Sequence, residues 1–218
     1  MSKQLLFTQT QKDQIAEAVK QAEQNTSGEI VPYFVNKSDN YIEAPTYAAL
    51  SAGVFVVLIL NILSQLWLLP FKFNTLNFSI WLIVIMAVVY LTVYFIKPIK
   101  RLIINDSRKS DMVNKRAMLA FVEEEVFSTR DRTGILIFVS EFEHRVEIIA
   151  DSGINTKTDD AYWTELIEHL IEGIKKGDLT ESVIDAIAQC GKLLADAGFS
   201  VSPDDTNEID NNLRTEEI

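Results

Sequence analysis

Between residues 44 and 96 the chain carries a single charge, Lys72. The runs on either side of it, 44–71 and 73–96, are mostly apolar. A helix needs about 20 such residues to cross the hydrocarbon core of a bilayer. The pattern therefore predicts two helices, over about residues 47–69 and 76–96, each able to span with some tilt. The short link around Pro70, Asn74 and Asn77 makes the pair antiparallel. Trp67, Trp81, Tyr47 and Tyr94 fall towards the span ends, where interfacial aromatic anchors belong. Neither run holds an acidic or basic residue, and transport pathways through membranes need such groups. The hairpin reads as an anchor.

Outside the hairpin the pattern alternates between helical and strand periods. Residues 8–25 place Ile15, Ala18, Val19 and Ala22 at helical spacing, and Asn25 and Gly28 supply the stop. Residues 30–35 read as a strand, constrained by Pro32. After the hairpin, residues 99–127 read as one long helix, followed by a polar loop over 128–134. Residues 135–139 are continuously apolar, as in a strand buried on both faces. Residues 145–150 form a further strand, joined through the short link 141–144 as an antiparallel hairpin. Asp151, Ser152 and Gly153 make a turn. Trp163, Leu166, Ile167, Leu170 and Ile174 form one stripe of a helix over about 159–175. Asp178 or Thr180 caps a last helix that carries Val183, Ile184, Ile187 and Leu194 up to Gly198.

A helix and one strand cannot close a core alone, so the parts before and after the hairpin are expected to fold together. The reading is an α/β domain of at least three strands, split by an inserted two-helix transmembrane hairpin. Residues 1–45 are its first part, 46–98 the hairpin and 99–200 the second part. Residues 201–218 are polar and acidic with few apolar positions, and are expected to be a disordered tail.

Charge adds a topology. The chain of 218 residues has a formal net charge of -11, which excludes bulk nucleic-acid binding because phosphate contacts need a basic face. Lys97, Lys100, Arg101, Arg108, Lys109, Lys115 and Arg116 follow the second span, whereas Lys37 alone precedes the first closely. That asymmetry assigns both flanks, and hence the soluble domain and both termini, to the cytoplasm. It would also attract anionic headgroups of the lipid bilayer. No signal-peptide pattern precedes the hairpin, so the hairpin is expected to direct insertion. The lone Cys190 allows no internal disulfide and reads as a buried, inert thiol.

Three segments, in order, resemble the TPM domain family: Thr26-Ser-Gly-Glu-Ile-Val31, Arg132-Thr-Gly-Ile-Leu-Ile-Phe138 and His144-Arg-Val-Glu-Ile-Ile-Ala-Asp-Ser-Gly-Ile154. Trp163 and the closing helices around Gly177 and Asp178 are placed similarly. The resemblance implies a TPM-like α/β/α sandwich tethered to a membrane, and an internal hairpin looks like a bacterial membrane-protein branch of the family. It also implies a role as a phosphatase or as an assembly factor for membrane complexes, with divalent cations held in acidic loops in some members. This chain departs from the pattern in its internal hairpin, and in Arg132 and Thr133, which stand where an acidic residue or Asn followed by Asn is common.

No Gly-rich phosphate loop, paired-cysteine zinc pattern or nucleophile elbow is present. His144 and His169 read as solvated or core-edge residues. Asp131 precedes one strand and Asp151 follows the next, so an antiparallel pairing would bring the two carboxylates to one edge. Asp159 or Asp160, at the next helix start, could join them as oxygen ligands for calcium or magnesium and support metal-assisted phosphoester hydrolysis. Ordinary turn and cap chemistry accounts for the same residues. Arg130, Arg132 and Arg145, read as lying near that edge, would either neutralise the aspartates or hold an anion. Glu29 is a further cleft candidate. Together these features lead to the expectation of a membrane-anchored, non-catalytic interaction or assembly module with a membrane or cytoplasmic protein partner. The alternative is a divalent-metal-dependent phosphatase using the clustered aspartates.

Overall fold

The structure is a computed structural model, and it describes residues 7–66, 74–155, 160–176, 178–201 and 207–216. The chain divides into two units, one made of Met1–Asp39 with Ser110–Ile218 and the other of Asn40–Lys109.

In the first unit, the Thr8 hydroxyl accepts from the Gln11 backbone at 3.3 Å while the Gln11 side chain accepts from the Thr8 N–H at 2.9 Å. This reciprocal cap starts α1 (Gln9–Glu23) by satisfying donors that the first helical turn leaves without partners. β1 (Glu29–Val35) follows. α5 (Asp106–Glu123), numbered in chain order after the three helices of the other unit, leads through a short 3-10 turn at Val126–Ser128 to β2 (Gly134–Ser140). β3 (Arg145–Ala150), the short α6 (Ser152–Asn155), α7 (Asp160–Lys176), α8 (Leu179–Asp196) and β4 (Arg214–Glu216) complete the order.

The sheet runs β3-β2-β1-β4. β1 is parallel to both β2 and β4, and β2 is antiparallel to β3. Alternation along each strand sorts the core into two layers. Ile30, Phe34, Ile135, Ile137 and Val139 pack with Ile15 and Val19 of α1, Leu166 and Leu170 of α7, and Val183, Ile187, Cys190 and Leu194 of α8. Val31, Tyr33, Val35, Leu136 and Phe138 pack on Val113, Ala117 and Ala120 of α5 and on Val126. The expected α/β architecture is thus a four-stranded mixed sheet with helices on both faces. Cys190 is fully buried, and burial pushes its thiol up to about 12, far from a reactive thiolate.

Two expectations differ from the structure. The long helix over 99–127 is interrupted: Ile104 is extended, with φ -72° and ψ 128°, and the Asn105 side chain accepts from the Ser107 N–H at 2.9 Å. That local side-chain bond competes with helical continuation and restarts the chain as α5. The tail differs too. Residues 202–206 and 217–218 lie outside the described residues, but 207–216 are ordered on the sheet rather than disordered. Leu213 is buried in the three-helix layer and Ile209 packs on the α5 layer. Arg214 pairs with Glu124 at 2.9 Å, and Glu216 is shared by Arg116 and the Tyr33 hydroxyl. Burial, with Arg116 acting in the opposite direction, pushes the Tyr33 phenol up to about 12, so it stays a donor to Glu216.

In the other unit, α2 (Glu43–Gln65) and α3 (Thr75–Phe95) are the two apolar helices. Both are long and apolar enough to cross a membrane, with mean hydropathies of 2.1 and 2.3 over their most apolar windows. Asn74 caps α3 by accepting from Leu76 N–H at 3.1 Å. Gly53 lets the pair approach closely, since a Cβ there would sit 2.8 Å from the Met86 sulfur. Large side chains such as Phe55, Leu58, Trp81 and Ile83 remain more than half exposed. Trp67, Pro70 and Lys72 lie outside the described residues. α4 (Lys97–Ile103) follows α3.

Candidate functional site

The strand register places the site at one end of the sheet. Glu29, the first residue of β1, lies opposite Gly134, the first of β2, and Ala150, the last of β3, lies opposite Ile135. The Asp151 N–H then donates to Gly134 O at 2.9 Å. Loop residues 130–133, Glu29 and Asp151 therefore converge on one edge.

Asp151 is buried there. Its Oδ1 accepts from the Ser152 N–H at 2.6 Å and the Ser152 hydroxyl at 3.2 Å. Its Oδ2 lies 2.9 Å from Arg132 Nε. Among the described residues no hydrogen-bond partner is aligned with that oxygen, so the contact with Arg132 is an ion pair whose N–H points off axis. Charge attraction tolerates that angle better than hydrogen bonding does. Arg132 adopts φ +58°, donates through Nη1 to Phe127 O at 3.1 Å, and sits 5.8 Å above the Phe127 ring. Asp131 is exposed. Gly153 closes against this loop, donating to Arg132 O at 3.1 Å, and a Cβ on it would come within 2.5 Å of Asp131 O.

The tail completes the edge. Glu29 is buried, and its Oε1 accepts from the Glu208 N–H at 3.0 Å. The Glu208 carboxylate in turn accepts from the Arg130 N–H at 3.1 Å. Beside them, Glu23 Oε1 accepts from Ile30 N–H at 2.9 Å, and Asn211 donates to its other oxygen. Burial, reinforced by the neighbouring Glu29 and opposed by the Ile30 N–H, pushes the Glu23 carboxyl up to about 8. An open groove of about 310 Å³ runs past Lys20, Glu23, Thr26, Glu29, Asn207 and Asn211.

The structure thus brings Arg130, Arg132, Asp131, Asp151 and Glu29 to one edge. Arg145 is not among them. It pairs with Ser140 at the other end of β3, because an antiparallel strand begins where its partner ends. Asp159 lies outside the described residues, as does the side chain of Asp160, whose backbone opens α7. His144 sits with φ +52° in the turn at the far end, and His169 is exposed on α7. Among the described residues no three His, Cys, Asp or Glu side chains are grouped to hold a metal. Glu23, Glu208 and Asn211 were missed by sequence reasoning. The readable signal for the last two was the pair Ile209 and Leu213, whose burial draws the tail in.

Calcium takes several oxygen ligands at about 2.3–2.6 Å and magnesium binds closer still. At Asp151 the place of such an ion is taken by the Arg132 guanidinium, so the residues as arranged do not fit a cation there. The arrangement instead neutralises the buried carboxylate and ties the loop over 130–133 to the end of β3.

Residues 99–193 match the TPM domain family. The segment at 26–31 lies outside that match. The fold is similar to a solved structure, the NMR structure of BA42 protein from the psychrophilic bacterium Bizionia argentinensis, with 20% sequence identity and a TM-score of 0.59. The likeness covers 99% of this chain and 100% of that one. No curated protein matches the chain.

Proposed function

We propose that the chain is a membrane-anchored TPM-like interaction or assembly module that performs no chemistry of its own. In this reading α2 and α3 span a bacterial inner membrane as an internal hairpin, both termini are cytoplasmic, and the α/β unit meets a protein partner at the cytoplasmic face. One observation carries the non-catalytic part: Asp151, the buried carboxylate of the edge, is committed to Ser152 and to Arg132. A general base or metal ligand needs a carboxylate open to substrate.

Two outcomes are expected. Protease added to inverted inner-membrane vesicles will digest the α/β unit; full protection would place it on the opposite side. Purified full-length protein will hydrolyse simple phosphoesters no faster than its Asp131→Ala variant, whose exposed side chain can be removed without disturbing the core. A clear rate that this substitution abolishes would replace the module reading with an enzymatic one.

A second reading, a divalent-metal-dependent phosphatase, is favoured by the gathering of Glu29, Asp131 and Asp151 at one edge. It requires Arg132 to leave Asp151. A ligand specific for the folded state raises the melting temperature by mass action. Under the module reading, a calcium or magnesium series leaves the melting temperature of the full chain unchanged. A saturable rise that vanishes in Asp131→Ala would support the phosphatase.

A further inference from the structure

We propose that the outer face of α5 docks a basic amphipathic helix of a partner protein; this rests on the interaction-module reading. The inner face of α5 covers one side of the sheet together with Val126, with Val113, Ala117 and Ala120 fully buried. Turned away from them, Met118, Leu119 and Val122 are 52%, 51% and 57% exposed. Their spacing, three and four residues apart, puts them together on one helical face. Lone exposed apolar residues are ordinary, but contiguous ones on a soluble surface mark a contact.

Charge decides what the contact fits. Of the chain's 20 basic and 31 acidic residues, 40–109 hold six and two, leaving 14 and 29, a formal charge of -15, for the α/β unit. A second copy carries the same excess and is repelled. The stripe runs directly into Glu123, Glu124 and Glu125 at the helix C-terminus, an end that already favours cations. Glu123 is held by Arg116 at 3.0 Å and Glu124 by Arg214 at 2.9 Å, while Glu125 is exposed. An apolar stripe ending in carboxylates complements a helix whose own stripe is bordered by lysine or arginine, the helix-in-groove mode of recognition.

The test uses the full chain in nanodiscs of zwitterionic lipid, with empty nanodiscs as the blank. The probe is a fluorescent Leu/Lys peptide of about 18 residues, long enough to be helical, alongside the same peptide with Glu for Lys. The Leu/Lys peptide is expected to bind saturably, to bind about tenfold more weakly to a Met118→Gln, Val122→Gln variant, and to weaken with added salt. The Leu/Glu peptide is expected not to bind. Equal binding of the variant, or of the acidic peptide, overturns the proposal. So does a dimer that the variant abolishes, since the stripe would then hold a second copy. Phosphoester hydrolysis on the same preparation separates the two failures. Lost docking without hydrolysis removes only this surface, whereas Asp131-dependent hydrolysis removes the module reading itself.

Discussion

Replacing Gly134 by alanine is expected to destabilise the α/β unit by about 3 kcal/mol or more. A Cβ at this position would stand 2.1 Å from Val126 O and 2.7 Å from Val126 Cγ1. The nearest obstacle is main chain, so no side-chain rotation relieves it. Backing the strand away is no easier, because Gly134 is in register with Glu29 and its carbonyl accepts from Asp151 at 2.9 Å. Relief at Gly134 would therefore loosen the edge that carries Asp151 and Glu29. Gly198 makes the control: it has φ +82° and open space around it, so Gly198→Ala should cost about 1 kcal/mol of backbone strain and no packing. Denaturant unfolding of the full chain, followed through Trp163 on α7, measures both. Equal losses for the two variants would mean that the turn at Val126–Ser128 yields freely, and that the edge is not rigidly built.

Glu23→Gln is expected to do the opposite, stabilising the protein in alkaline solution. The Glu23 carboxyl is pushed from 4.5 up to about 8 by burial and, secondarily, by Glu29. A raised folded value means that the folded chain holds a proton the unfolded chain has already released. The associated stability is complete below about pH 4.5 and is lost as the pH rises through about 8. The whole displacement corresponds to roughly 5 kcal/mol, and solvent reaching the side chain reduces the expected effect to about 2 kcal/mol. Glutamine keeps an acceptor for Ile30 N–H and has no charge to set against Glu29. The variant should therefore match the native chain near pH 4.5 and exceed it by about 2 kcal/mol near pH 8. Denaturation midpoints at those two values test this; parallel curves would show the groove beside Glu23 to be as well hydrated as bulk surface.

Much of the architecture was legible along the chain because it rests on local periods. Residues 135–139 are apolar without interruption, and the structure buries them completely on both faces as β2. The stripe from Trp163 to Ile174 packs into the three-helix layer as α7. The segments at 132–138 and 144–154 that resemble the TPM family fall within the matched region 99–193. The link 141–144 announced an antiparallel pair, and that pairing does carry Asp151 back to the start of β2. The same pairing sends Arg145 to the opposite end, a consequence of the topology that was not drawn from the sequence.

The tail shows where local reading stops. Arg214, Thr215 and Glu216 carry no hydrophobic period, so nothing in the segment itself announces β4. It is ordered by partners far away in the chain: Glu124 for Arg214, Arg116 and Tyr33 for Glu216. Asp131 and Asp151 were visible as candidate ligands, but the seat of Arg132 beside Asp151 depends on its positive φ and on Phe127. By itself, then, the sequence determined two uncharged helices long enough to span and an alternation of strands and helices able to share a core. Hydrophobic burial follows from the spacing of neighbours within one segment. Only the tertiary structure decided which charges meet at the sheet edge, that the tail closes it, and that α5 keeps an apolar face outward. Ion pairs and surface patches depend on where remote segments come to lie.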